Sequence, residues 1–329
     1  MNRSKEHNNM TSKNSFLQNL ARYRQNIYGA HCHYTLNNML NPWAKNYLKE
    51  YRNLLEKEDN NYIAIIIDDR PSDLLRNSVL NTLIMCKLKV PVILYTTYNR
   101  HKDMLNLFQD LIGYVKIKSV KRSYDEINNN IYNEIMKDKY FWKAIEIEKI
   151  LLFQSDSLLI EPLEFSFFEY DYIGAPWVKT RFTTDYPIFS QELDKPPNKE
   201  EISVDINTYP NSNKSLKNQL KIGNGGLSIR NSKIMLDICD KFDSNPEEQE
   251  DVFFSRCCKE IGAKIPDLEI SKSFACEGMY NKTIGMHKSY NYLSAENQAE
   301  IYERHIKNLN SLLWTLENMS RTRTKNIFK

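Results

Sequence analysis

Tyr62-Ile63-Ala64-Ile65-Ile66-Ile67 runs straight into Asp68-Asp69-Arg70-Pro71. The six residues are apolar without alternation and mostly β-branched, which suits a strand buried on both faces of a sheet. Ser72 then stands where a helix running to about Lys87 would take its N-cap. Further along, Val90 to Thr96 has the same buried-strand character. The spacing predicts a helix over 102–112, a short strand over 114–118 and a helix over 124–136. Lys149-Ile150-Leu151-Leu152-Phe153 is another strand, and it stops in Gln154-Ser155-Asp156-Ser157. Strand and helix alternating at this interval imply βαβ units and a mainly parallel, Rossmann-like α/β sheet flanked by helices.

Outside this stretch the pattern is weaker. Residues 1–60 show a polar tail and loose helical patterning (Phe16, Leu17, Leu20, then Tyr47, Leu48, Tyr51, Leu55), read as added helices docked on the core. From Asp171 the period loosens. Residues 178–221 hold Pro187, Pro196, Pro197 and Pro210 and no clear repeat, as expected of a long loop acting as a lid or binding segment. A strand is expected over 223–230 and a helix over 231–242. Asn245-Pro246-Glu247-Glu248 has the order of an N-cap, a first-position proline and first-turn acids, so a helix is expected from Pro246 to about Ile261. Residues 294–319 form a last amphipathic helix. The organisation read from this is an N-terminal extension (1–60), a catalytic-type domain (61–292) and a C-terminal helix (293–329).

Composition removes several classes of protein. The chain has 329 residues with 26% charged residues and a net charge of +3, which argues against a nucleic-acid coat. Tyr62–Ile67 is far shorter than the ~20 apolar residues of a membrane span. Residues 1–14 lack the apolar core of a secretory signal, so a soluble cytoplasmic protein is expected. The six cysteines are scattered and show no CxxC pair, as for reduced thiols. His31-Cys32-His33 has no second pair at zinc-site spacing and is read as part of a helix or turn. Neither GxGxxG nor GxxxxGK[ST] occurs, so any nucleotide phosphates are held in another way.

Four features bear on chemistry. Asp156 lies just past a buried strand, where open α/β sheets bind ligands, and a carboxylate there suits a divalent cation bridging phosphates. A plain strand-ending Asp would look the same. Gly223-Asn224-Gly225-Gly226 gathers three of the nine glycines, so the backbone takes positive φ or something approaches closely; an ordinary turn is the alternative. Glu250 and Asp251 follow Glu247 and Glu248 and would sit in the second turn of their helix. Their side chains diverge by ~100°, so one of them could serve as a base. His287 closes the series as a ligand-type imidazole or a plain turn histidine.

Taken in order, these blocks resemble a known family. The residues that carry the likeness are Asp156 in Gln154-Ser155-Asp156-Ser157, Asp171-Tyr172-Ile173-Gly174-Ala175-Pro176-Trp177, and Gly223-Asn224-Gly225-Gly226-Leu227-Ser228-Ile229-Arg230. Glu250-Asp251-Val252-Phe253-Phe254 and Phe274-Ala275-Cys276-Glu277 complete it. They resemble a glycosyltransferase-like domain family of originally unknown function, met in large DNA viruses, fungi and plants and similar to GT-A sugar-nucleotide transferases. The likeness spans about residues 63–287.

The resemblance implies an inverting enzyme that moves a hexose from a UDP-linked donor to a hydroxyl of a glycan or protein acceptor, with Mn²⁺ or another divalent cation. It implies Asp251, or Glu250, as the base, and Asp156 and His287 as metal ligands. Asp69, Arg70, Gln154, Asp156, Gly225 and Gly226 would bind the donor; Trp177, Phe274 and Glu277 would line the acceptor side. Gln154 stands where the family's Asp-x-Asp motif has its first acid. That departure fits the alternative of a catalytically impaired sugar or nucleotide-sugar binding module. No nucleic-acid partner is expected, and the terminal helices offer a homo-oligomer contact.

Overall fold

The computed structural model describes residues 19–20, 22–55, 61–177, 222–278 and 280–327. The strands are β1 (Tyr62–Ile67), β2 (Val92–Thr96), β3 (Val115–Ser119), β4 (Lys149–Phe153), β5 (Ser157–Leu159), β6 (Tyr172–Pro176), β7 (Ile222–Asn231), β8 (Ala275–Cys276) and β9 (Gly285–His287). Helix α1 (22–35) continues through a π-helical turn, Leu36–Leu40, into α2 (Asn41–Leu55). The others are α3 (Asp73–Met85), α4 (His101–Leu107), α5 (Asn129–Lys137), α6 (Lys139–Lys143), α7 (Ser232–Lys241), α8 (Glu250–Glu260), α9 (Leu268–Phe274) and α10 (Ala295–Ile327).

Six strands form one sheet in the order β3-β2-β1-β4-β7-β6. β1 pairs in parallel with β2 and β4, and β2 with β3, whereas β7 runs antiparallel to both its neighbours. Only β7 therefore opposes the common direction. The protein is a mixed α/β fold with a mainly parallel sheet flanked by helices. A small second sheet, β5-β9-β8, sits beside it.

The unalternating run at β1 resolves into two faces because successive side chains point to opposite sides. Ala64 and Ile66 join a core with α3, α10 and the N-terminal helices. Ile63, Ile65 and Ile67 join a second core with Ile135, Trp142, Met235 and Phe253. Ser72 Oγ accepts the Leu75 N–H at 3.2 Å, as its position before α3 suggested.

Two helices start later than their sequences suggest, for one reason: side chains elsewhere take the backbone groups of the expected first turn. Ile127 N–H is given to Asp69 Oδ2 (2.8 Å), and Asn128 caps α5 instead. Lys137 Nζ binds the carbonyls of Asn245 and Glu248 at 2.7 Å each. Asn133 Oδ1 accepts the Glu250 N–H at 2.8 Å. Residues 246–249 consequently stay in a turn and α8 begins at Glu250, which puts Glu250 and Asp251 in its first turn rather than its second.

His31 lies in α1 and is buried against α10. Its Nε2 is 2.9 Å from His305 Nδ1, and His305 Nε2 is 2.8 Å from Asn81 Nδ2. Asn81 Nδ2 is a donor, so His305 accepts at Nε2 and donates from Nδ1 to His31: both rings are neutral. Tyr302 stacks on the His31 ring at 4.4 Å. Burial holds His31 down to about 4 and His305 well below its ordinary value, His31 adding to the latter effect.

The unfolded chain takes up protons near pH 6.5 that this pair refuses, so stability falls as the pH drops from 6.5 toward 4. For His31 alone the loss between pH 7 and pH 5 is roughly 2 kcal/mol. Urea midpoints should drop over that interval, and His31→Gln should flatten the drop. An equal drop in both proteins would remove His31 as its cause.

Candidate functional site

The carboxyl ends of β1 and β4 converge, as ligand sites in open α/β sheets do. After β1, Asp68 is buried and bound through both oxygens by Arg70 (Nε to Oδ1 3.0 Å, Nη2 to Oδ2 2.8 Å). The Arg70 side chain is left 72% exposed at the strand end. Asp69 is spent on the Ile127 N–H, so of the two donor candidates here only Arg70 faces solvent.

After β4, Gln154, Asp156 and His287 gather at one point. Asp156 Oδ1 lies 3.4 Å from His287 Nε2, and Gln154 Oε1 lies 3.1 Å from the same nitrogen. On the other side of the ring, Nδ1 is 2.9 Å from Asn224 Oδ1 and 3.7 Å from Glu277 Oε1. Asn224 Oδ1 also accepts the Gly226 N–H, so it acts as an acceptor and takes the imidazole proton at Nδ1. Nε2 faces two further acceptor oxygens, those of Gln154 and Asp156.

Burial opposes ionisation of Asp156, but His287 and Lys288 outweigh it and hold the carboxyl well below the usual carboxylate range. Its Oδ1 is buried without a hydrogen-bond partner. Asp156 Oδ1, Gln154 Oε1 and, once deprotonated, His287 Nε2 are three donor atoms meeting at one point, a set that suits a divalent cation. Among the described residues no group of three or more His, Cys, Asp or Glu could hold a metal ion. Lys288 Nζ stands 3.5 Å from Asp156 Oδ2, on a backbone held at φ +49°.

The second half of the site is the glycine stretch. β7 bulges out of its ladder with β6, Gly174 pairing Ser228 and Ala175 pairing Asn224. A bulge of this kind re-aims the chain beside a site. Gly223 alone takes positive φ (+133°). At Gly225 and Gly226 the need is close approach. A Cβ on Gly225 would overlap Glu250 Oε1, and one on Gly226 would run into the His287 ring.

Gly225 and Gly226 are expected to bind the donor, but their N–H groups are taken within the protein. Gly225 N–H is donated to Asp251 Oδ2 (3.1 Å) and Gly226 N–H to Asn224 (3.1 Å). The partners that require glycine are the protein's own acid and imidazole.

Glu250 and Asp251 part company as their angular separation suggested. Glu250 is held by Arg230 through both oxygens, at 2.6 and 3.0 Å, so it is occupied and not free to act as a base. Asp251 accepts from Gly225 and Val252 N–H (2.8 Å) and is only partly covered. Burial pushes its carboxyl up to about 7, the neighbouring Glu250 adds to the rise, and the Gly225 N–H works against it.

On the acceptor side, Trp177 is partly exposed at the end of β6 and Glu277 faces His287. Burial raises the Glu277 carboxyl, against the pull of His287 and Lys288. Phe274 has no exposed surface and packs on Phe167 at 5.2 Å, so it is a core residue and not an acceptor contact. The long segment 178–221, expected to act as a lid, lies outside the described residues. Sequence reasoning missed Asn224, Lys288 and Arg230. The available signal for Arg230 was a charged side chain in a strand with no other charged residue.

Residues 114–293 match the protein family described as "Protein of unknown function (DUF5672)". The chain belongs to that family. No curated protein matches it. Among solved structures it is similar to the inositol-1-phosphate CTP transferase from T. maritima, at 13% identity and a TM-score of 0.40, covering 75% of this chain and 95% of that one. S. aureus TarS 1-349 gives 13% identity and 0.39, covering 73% of this chain and 62% of that one. Mouse xyloside xylosyltransferase 1 gives 9% and 0.38, covering 71% and 99%. At these TM-scores function has to be sought in the site itself. Among the described residues no helix is long and apolar enough to cross a membrane.

Proposed function

We propose that this DUF5672 protein is a metal-assisted glycosyltransferase that moves a hexose from a nucleotide sugar, UDP-linked in the simplest case, to an acceptor hydroxyl with inversion. One observation carries this reading: two consecutive glycines hold the candidate base on one side and the candidate metal ligands on the other. Gly225 seats Asp251, and Gly226 seats His287 next to Asp156 and Gln154. A basic carboxylate held beside candidate metal ligands suits the displacement of a diphosphate by a hydroxyl.

Asp156, His287 and Gln154 would hold Mn²⁺ or a similar ion. When bound, that ion neutralises charge on the departing diphosphate. Asp251 takes the acceptor proton, and its raised carboxyl gives it the basicity to do so near neutral pH. Arg70 and Lys288 add fixed positive charge for phosphate oxygens, and Trp177 offers a partly exposed ring to the acceptor.

Incubation with a panel of UDP- and GDP-sugars plus Mn²⁺, scored by nucleotide release, tests the reading. Release with at least one donor, and its loss on chelation, is the expected result. Binding of a nucleotide sugar without release would instead make the protein a binding module, consistent with Gln154 in place of an acid.

A further inference from the structure

Arg230 is the one residue of this site whose chemistry is not accounted for by binding or proton transfer. It sits on β7 with no exposed surface. Its Nη1 and Nη2 grip the two oxygens of Glu250, and its Nε donates to Ser228 Oγ at 3.0 Å. Tyr172 and Phe254 lie against its guanidinium at 5.0 and 5.3 Å. Ser228 Oγ in turn donates to the Gly225 carbonyl at 3.2 Å. The same Gly225 gives its N–H to Asp251, and its missing Cβ is what lets Glu250, Arg230 and Asp251 close around it.

A buried ion pair contributes little stability against an apolar replacement of similar volume, because desolvation consumes the Coulomb gain. Its placement here has another consequence. The pair fixes the peptide that holds Asp251 from one side, and the first turn of α8 that carries Asp251 from the other.

We infer that the Arg230–Glu250 ion pair is the positioning unit of the Asp251 base, seating the Gly225 peptide against it and setting the charge it faces. This rests on Asp251 being the base, and it reassigns Glu250 from alternative base to positioning residue. The charged or titratable groups around Asp251 are Glu250 on its own helix, Arg230 on β7, Glu277 after β8, Tyr132 on α5 and Tyr172 on β6. Glu250 outranks Glu277 and Arg230 among them, so its removal has a definite sign: the Asp251 carboxyl becomes more acidic.

The experiment is carboxyl titration by infrared difference spectroscopy on the whole chain, with Asp251→Asn as the subtraction control. In the wild type the Asp251 band should titrate at about 7. In Glu250→Gln it should titrate clearly below the wild type, the guanidinium now facing it without its counter-anion. If that variant does not fold, the double substitution Arg230→Met with Glu250→Leu keeps an apolar filling between Tyr172 and Phe254. It should fold, with Asp251 again titrating away from the wild-type position. A folded variant whose Asp251 titrates where the wild type does overturns the proposal. The readout needs no substrate, so absence of sugar transfer by the wild type would count against the proposed function and leave this result standing.

Discussion

Asp251→Asn is expected to lower kcat for sugar transfer by at least ~10²-fold while donor binding changes little, the ordinary consequence of removing a general base. Asn keeps an oxygen that can accept the Gly225 N–H, so the bulge and the neighbouring His287 stay in place. The wild-type rate should rise with pH through about 7, where the Asp251 carboxyl ionises, and the residual rate of the variant should lose that limb. The stability effect has the opposite sense. A carboxyl raised in the folded state is protonated where the unfolded chain is not, so between about pH 7 and pH 4 acidification favours the native protein at this residue. Stopped assays across pH 5.5–8.5 check the rate. Retention of the donor's anomeric configuration, with kcat unchanged in the variant, would overturn both the base and the inverting mechanism.

Asp156→Asn should remove most transfer, by about 10²-fold or more, through a different step. Its orphaned Oδ1 is the one strongly acidic oxygen at the point where Gln154 and His287 converge, and a neutral amide gives a cation far less to hold. The loss should show in the metal dependence of binding. UDP should bind more tightly with Mn²⁺ than without it in the wild type, and equally in the variant. Calorimetry finding the same affinity in all four combinations would remove the metal from the proposal.

How far the sequence reached follows from what is local. The apolar runs at β1 and β4 and the Ser72 cap depend on a few neighbouring residues, and they appear where the pattern puts them. So does the crowding at Gly225-Gly226, although the reason for it was not legible: its partners, Glu250 and His287, are 25 and 61 residues away. The start of α8 failed for a related reason. Pro246 and the acids after it carry every local sign of a helix start, but Lys137 and Asn133 bind the backbone there from another helix. Helix propensity is a weak prior against such bonds. Phe274 shows the reverse error, since an aromatic inside a resemblance block was read as lining the acceptor side although it packs on Phe167. The two- and three-residue strands β5, β8 and β9 are too short to leave a period in the sequence.

The docking of α1 and α2 on α10 bears on how the chain is born. Trp43 Nε1 donates to the Leu313 carbonyl, and His31 meets His305, across separations of 270 and 274 residues. At synthesis rates of ~5–20 residues per second, the first helices wait about 15–55 s for their partner to be made. Until then the side of α2 that carries Trp43 and Leu48 is open to water or to a chaperone. The family match begins at Tyr114, after β1 and β2 have been made, so a fragment cut to it would lack the two strands that join β3 to the rest of the sheet, as well as α1, α2 and α10. Native structure should thus arrive late, with the stretch of α10 from His305 to Leu316 acting as the latch.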